Sequence, residues 1–429
     1  MKKYDSYKDS GVQWIGEIPS HWELIRGKYS TRIISGFPFD SNLFTYEEDE
    51  NYMPLIRIRD IANTSTEIRY KGSYPLDSIV HNGEVLIGMD GDFNISCWKG
   101  KDALLNQRVC KILGTNVLRL SYVYYMLQFP LKCINDITYS TTVKHLSTFD
   151  IFESYLPIPP IVEQITIAAY LNKKCGEIDK AIATQQKRIE LLQELRQNII
   201  THAVTRGINP DTPLKDSGVE WIGMVPEHWE VMKMNHALRS ITDVNHYMPD
   251  SVLEGYPYIM TGDLKEYLSA IDFESCKQIS EYDYKELSIK SKAEKGDVIF
   301  ARYATIGTVC YVDIDRDFIV SYSCVTIKPN SKKLEGLFLF YYLQSHTFFE
   351  DVSQSINSNT QGNVGIESLS ASRIIVPPKA EQLAIITYIE AETAKIDKQV
   401  AKANRQISLL QELKQSIITE VVTGKRKVC

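Results

Sequence analysis

Eight histidines, eight cysteines and 54 acidic side chains give this chain ample material for catalysis, so spacing has to decide. The cysteines, Cys97, Cys110, Cys133, Cys175, Cys276, Cys310, Cys324 and Cys429, include no C-x-x-C pair. That scatter suits reduced thiols in the cytoplasm, and neither a disulfide frame nor a zinc site. The histidines spell no H-x-x-x-H or H-E-x-x-H, so no metal centre is expected. A phosphate-cradling G-x-x-x-x-G-K-[ST] is missing, and no G-x-G-x-x-G opens a helix. Pro159-Pro160 and Pro377-Pro378 follow Ile158 and Val376, where the catalytic loop of an amino-methyltransferase needs Asn or Asp. Glu412-Leu-Lys414 has the E-x-K spacing of a nuclease site. The same pattern recurs as Glu194-Leu-Arg196, which fits charged flanks of a helical seam better. No catalytic residue, metal or cofactor is therefore expected.

Binding suits the polar residues better. Arg57, Arg59 and Arg302 end or interrupt strand-like runs, and Lys99, Lys101, Arg108, Lys144 and His145 fall around loops of the first half. The second half offers Tyr303, Tyr322, Asn357, Asn359, Gln361 and Asn363. Arg reads guanine edges, Asn and Gln read adenine, and Lys mostly holds phosphate, so these are candidate contacts to double-stranded DNA. The net charge of −6 is no bar, because it falls wholly after residue 206 and a local basic face decides the matter.

Elements that could position these residues occur twice. Lys8–Glu23, KDSGVQWIGEIPSHWE, returns as Lys215–Glu230, KDSGVEWIGMVPEHWE, with 12 of 16 positions identical. Four of the five tryptophans of the chain fall in register there. Trp14, His21 and Trp22, with Trp221, His228 and Trp229, read as a doubled structural clasp. Leu191–Thr205 returns as Leu409–Thr423 with 11 of 15 identities, and the same offset aligns the Pro-Pro and Glu-Gln pairs. The unit is motif, variable block, Pro-Pro, long helix. Each variable block holds a short strand (Pro54–Asp60, Pro257–Asp263), a Gly-acid turn into an apolar strand (Gly83–Gly88, Gly296–Arg302) and an aromatic helix (Tyr122–Gln128, Phe338–Gln344). A polar loop follows, Tyr139–Ser147 or Ser355–Gly365.

After each Pro-Pro pair, apolar residues recur at seven-residue spacing. Ile178, Ile182, Ile189, Leu192 and Ile199 form one seam and Ile396, Val400, Ile407, Leu410 and Ile417 the other, with polar interruptions at matching places. About 45 residues at 1.5 Å rise make a rod of about 65 Å, which needs a partner for its stripe. The other copy is the best partner, and connectivity requires the two to run antiparallel. The expected fold is mixed α+β. Residues 1–158 and 208–376 are globular α/β domains, joined by helices in 159–207 and 377–429 that form an intramolecular coiled coil. The chain reads as a ring cut open, with a pseudo-two-fold axis. No run of 18 apolar residues suggests a membrane span, and MKKYDSYKDS lacks the apolar stretch of a signal peptide.

The doubled K-D-S-G-V-x-W-I-G-x-x-P-x-H-W-E, the doubled P-P-x-x-E-Q and LLQELKQSIITEVVTGK together resemble the specificity subunit of type I restriction–modification systems, across essentially the whole chain. The resemblance implies that each variable block is a target-recognition domain. Each would read half of a bipartite DNA site across a non-specific gap. It also implies that the helices space the domains and dock two methyltransferase subunits, and through them restriction subunits. S-adenosylmethionine, ATP and magnesium would then belong to those partners. The Gly-acid strand of that family is clean at Gly296–Arg302, whereas Met89-Asp-Gly-Asp-Phe93 leaves the first block without a match for Arg302. Two other classes compete. A coiled-coil adaptor would show no salt-dependent DNA affinity, and a self-contained restriction enzyme needs the motifs found missing above.

Overall fold

The structure, a computed structural model, describes residues 2–138, 143–354 and 362–428. By contacts the chain divides into two units, residues 1–185 with 405–429, and residues 186–404. Each unit is thus one globular domain plus half of each long helix. The sequence suggests a four-segment division, with the helices as segments of their own. The helices instead bury different stretches against different domains, so each is shared.

In the first unit a four-stranded antiparallel sheet runs Arg32–Ser35, Val109–Leu113, Val85–Gly88, Ile95–Cys97. Val85–Gly88 is buried at every position, as its unbroken apolar run demands. A second sheet pairs Met53–Ile56 with Ala103–Leu105 in parallel. The aromatic segment forms the helix Leu120–Met126, whose Tyr122, Val123 and Met126 are buried in the core. The second unit repeats this plan. Its sheet runs Leu238–Thr242, Cys324–Pro329, Val298–Ala301, Val309–Tyr311, and Tyr256–Ile259 pairs in parallel with Ile319–Val320. Its aromatic helix, Gly336–Gln344, is almost wholly buried. Each domain closes on itself: Tyr155–Ile158 pairs with Glu23–Arg26, and Arg373–Val376 with Glu230–Lys233.

The repeated motif is a hairpin, Tyr7–Asp9 with Glu17–Pro19 and Leu214–Asp216 with Met224–Pro226. Its D-S-G is a turn in which Asp9 and Asp216 each accept from the glycine two residues on, at 2.9 Å in both copies. Behind the hairpin Trp22 and Trp229 are fully buried. The P-P-x-x-E-Q residues lock the assembly. Glu163 meets His21 at 2.9 Å and accepts from the Tyr4 hydroxyl. Glu381 meets His228 at 2.6 Å and accepts from Trp229 Nε1 at 2.9 Å. Gln164, fully buried, accepts from the Arg119 amide and donates to the Val117 and Pro159 carbonyls, all at 2.8 Å. Gln382 does the same with Glu335, Lys333 and Pro377.

The long helices are Ile161–Arg206 and Lys379–Val422. Within the first unit Lys414 Nζ binds Asp179 at 2.7 Å. Within the second, Arg188 donates to Gln399 at 3.1 Å and Arg196 lies 3.8 Å from Asp397. The Tyr122 hydroxyl of the first unit also reaches both the Pro157 carbonyl, just before the first helix, and the Val422 carbonyl at the end of the second, so in each unit the helix segments run antiparallel. The polar interruptions of the two seams are the same interhelical pair, Arg196–Asp397 and Asp179–Lys414. Ile178, Leu192, Ile396 and Ile417 are buried, while Ile182, Ile189, Ile199, Val400, Ile407 and Leu410 are half-buried. Towards the helix ends burial shifts by one position, onto Ile200 and Val204 and onto Ile418 and Val422, as the stripe turns from the partner helix to the domain. Each helix ends on a glycine of positive φ, Gly207 and Gly424. A Cβ there would lie 3.2 Å from the Trp229 ring at Gly207, and 2.2 Å from Pro19 at Gly424. The chain ends meet inside the first unit, where the Lys427 amide donates to the Lys2 carbonyl at 3.0 Å.

Candidate nucleic-acid interface

The apolar strand of each sheet delivers the chain to a polar surface. In the second domain Val298–Ala301 runs into Arg302 and Tyr303. Arg302 is buried, with Nη2 2.7 Å from Asp243 and Nε donating to the Tyr322 carbonyl at 3.3 Å. Its guanidinium lies 4.8 Å from the Tyr303 ring centre, and the His246 ring lies 5.0 Å from that of Tyr322. Arg302 thus anchors an aromatic surface of Tyr303, Tyr322 and His246 rather than projecting from it. Tyr303 bridges to Asn363 across adjacent backbones.

In the first domain Val85–Gly88 runs into Met89 and Asp90. Met89 is buried, and Asp90 bridges to His145. Asp90 takes His145 Nδ1 at 2.7 Å on one oxygen and lies 3.5 Å from Arg108 Nε on the other. Lys144 Nζ donates to Asn135 at 2.6 Å, and Asn135 donates to Gly91. Lys144 is therefore held against the end of the helix Gln128–Ile137. Arg57 pairs with Asp60 at 3.0 Å, which closes the turn carrying exposed Arg59.

The two surfaces share one backbone pattern. The Met89 amide donates to the Arg108 carbonyl, and the Arg302 amide to the Ser323 carbonyl, each at 2.9 Å. Leu146 donates to the Met89 carbonyl, as Val364 does to that of Arg302. Asp60 caps the Arg57 turn as Asp263 caps Met260. Both hairpins hold a non-glycine residue at positive φ, Phe93 and Ala304, a strain of the order of 1–2 kcal/mol that clusters at functional surfaces. A duplicated frame with different side chains is the property of a pair of readers. Residues 32–194 and 242–407 each match the model described as the type I restriction modification DNA specificity domain. The chain belongs to this family.

Curated relatives agree. The type I restriction enzyme EcoBI specificity subunit of Escherichia coli is 28% identical over 97% of this chain and 89% of its own length. The MjaVIII specificity subunit of Methanocaldococcus jannaschii is 25% identical over 96% and 94%. A solved structure described as the structural basis underlying complex assembly and conformational transition of the type I R-M system matches with a TM-score of 0.65. It is 15% identical and covers 94% of this chain and 98% of that one, a likeness of fold. A coiled-coil adaptor without recognition domains is not favoured by a doubled specificity domain.

The specificity-family surfaces gather some of the sequence candidates and separate others. Arg108 and His145 come together through Asp90, beside the Arg57–Asp60 turn whose Ile58 lies close to Gly88. Lys99 and Lys101 lie at the opposite end of the Val85–Gly88 strand, where the Trp98 indole donates to the Lys101 carbonyl and Gly83 to that of Trp98. Tyr303, Tyr322 and Asn363 come together around Arg302. Asn357, Asn359 and Gln361 lie outside the described residues. Sequence reasoning missed Asp90, Asp243 and His246. Acids attract no attention in a search for DNA contacts, although Asp90 stands in the very segment, Met89–Phe93, that breaks the repeat.

Proposed function

We propose that this specificity-family chain reads a bipartite DNA target, one half-site per domain, and contributes no catalytic residue to the assembly it serves. The carrying observation is the duplicated backbone frame, whose hydrogen bonds match between domains while its side chains differ: Asp90, Arg108 and His145 against Tyr303, Ser323 and Asn363. Backbone-held positions with interchangeable side chains suit base reading, because the fold does not depend on which residue occupies them. Of the remaining candidates, Arg59, Lys99 and Lys101 are assigned to phosphate and flanking contacts, and Arg57, paired with Asp60, to holding the turn that carries Arg59.

Two methyltransferase subunits are the proposed direct partners, with restriction subunits attached through them. The support is a pair of apolar stripes on the long helices. Leu191 and Leu195 are 54% and 48% exposed, and their repeat counterparts Leu409 and Leu413 are 53% and 48% exposed. Large apolar side chains one turn apart on a helix mark a helix-docking surface. Two equal stripes suit two equal partners. S-adenosylmethionine, ATP and magnesium are assigned to those partners, and the assembly to the cytoplasm. Among the described residues no helix is long and apolar enough to cross a membrane.

The test is co-expression with the neighbouring methyltransferase subunit in a host free of adenine methylation, followed by a genome-wide map of methylated adenines. A two-part motif with a fixed gap is expected. Methylation without a sequence motif, or none at all in a complex that assembles, refutes the reading.

A further inference from the structure

We propose that Arg108 reads a guanine in the half-site of the first domain, held in place by Asp90. The inference rests on the DNA-reading function above. Arg108 is 57% exposed, and Asp90 is its one ion-pair partner among the described residues, approaching through Nε at 3.5 Å. The Asp90 side chain sits lower, at 24% exposure, with its second oxygen 2.7 Å from His145 Nδ1. All three residues are placed by backbone bonds: Asp90 bridges to His145, and Met89 donates to the Arg108 carbonyl. With Nε turned toward the Asp90 carboxylate, the four Nη–H donors remain for an acceptor pair, and the two acceptors O6 and N7 of guanine match that fork.

The carboxylate argues against a phosphate contact. A side chain meant for phosphate gains nothing from an acid beside it, since the acid repels the same oxygens. A base edge carries no net charge, so the acid can orient the guanidinium without opposing the ligand. Asp90 is thus a positioning residue, and its effect should appear in base preference. The second domain supplies the contrast. At the matched positions it carries Tyr303, Ser323 and Asn363, with no acid among them, and its neighbouring arginine, Arg302, is buried against Asp243. One frame with two chemistries predicts two half-sites of different composition.

The experiment compares methylation motifs of the full chain with its methyltransferase partner, as wild type, Arg108→Ala and Asp90→Ala. The wild-type motif should hold a guanine that Arg108→Ala relaxes to any base, with five- to 150-fold weaker binding to the guanine-containing site. Asp90→Ala should relax the same position less. The other half-site and the gap should not change. As a probe that leaves the protein untouched, a duplex with 7-deazaguanine at that position lacks N7 and should bind the wild-type complex more weakly. An unchanged Arg108→Ala motif overturns the assignment, as does uniform weakening with no base relaxed or indifference to 7-deazaguanine. In all three cases a bipartite wild-type motif leaves the DNA-reading function standing. A wild-type complex with no motif overturns both.

Discussion

Replacing Gln164 by leucine tests the P-P-x-x-E-Q lock directly. The amide is fully buried and makes three hydrogen bonds at 2.8 Å, one accepted from the Arg119 amide and two donated to the Val117 and Pro159 carbonyls. Leucine has nearly the same volume, so little cavity opens and the loss is polar. Each hydrogen bond is worth about 1 kcal/mol net, and each buried group left unpaired costs about 1–3 kcal/mol. The expected loss is about 3 kcal/mol or more, a large share of the stability of one domain. Gln382 makes the same set of bonds in the second unit, so Gln382→Leu should cost about as much. A two-domain chain does not melt as one transition, so the assay is amide hydrogen exchange. A loss of 3 kcal/mol raises local exchange about 150-fold. It should appear around residue 119 in the first variant and around residue 335 in the second. Exchange within a few-fold of wild type at those segments would refute the view that P-P-x-x-E-Q holds the domain to the helix.

Changing Leu191 and Leu409 together to glutamate should leave the fold intact, since both side chains are about half exposed, and abolish co-purification with the methyltransferase subunit. Inserting one full turn into Ile161–Arg206 should lengthen the DNA gap and leave both half-sites unchanged, as read from a methylation map; unchanged spacing would be fatal to the view that the helices space the domains. Joining the ends and reopening the chain near Asn209 should preserve DNA binding, because the Lys427 and Lys2 backbones already meet at 3.0 Å; an insoluble permutant counts against it. Burial pushes the thiols of Cys110, Cys310 and Cys324 up to about 12, so native alkylation at pH 8, followed by mass spectrometry, should modify Cys97 and Cys133 far faster.

Repeated elements were legible because repetition exposes them. The seams, the Pro-Pro boundaries, the doubled hairpin and the aromatic helices all follow from counting and alignment. The Gln of P-P-x-x-E-Q was visible as a letter, but its role depends on the Arg119 amide and the Val117 carbonyl, in a loop 45 and 47 residues away. Arg302 differs in another way. An arginine at a strand end looks like a DNA contact, and only the fold reveals that Asp243, 59 residues earlier, buries it. Lys144 likewise looks free in sequence, although its ammonium is held by Asn135. Lys99 and Lys101 are close to Arg108 in number, yet a strand and its hairpin separate them. Sequence order ranks such residues by type; partners from distant segments decide which are available.

The same contrast explains how one frame can change its reading without losing its fold. The proposed reader positions hang on backbone amides and carbonyls, which every residue except proline supplies in full. The closing strand pair, the clasp and the helix stripes recur in both copies and lie apart from those positions. Position 89/302 is the informative exception, because its side chain is buried in both domains. One copy buries methionine and the other an arginine neutralised by Asp243 at 2.7 Å. A paired buried ion and a packed apolar side chain are close in free energy, since the attraction of the pair largely offsets its desolvation, whereas half of a pair costs about 3–5 kcal/mol. The arginine and its acid must therefore enter or leave together, and the first domain, with Met89, has neither. What this buried pair adds is the aromatic surface built over it. Tyr303 lies 4.8 Å from the guanidinium, and Tyr322 accepts from it through its carbonyl. On the proposed reading Arg302 would act on DNA through the tyrosines it holds, and Arg108 directly.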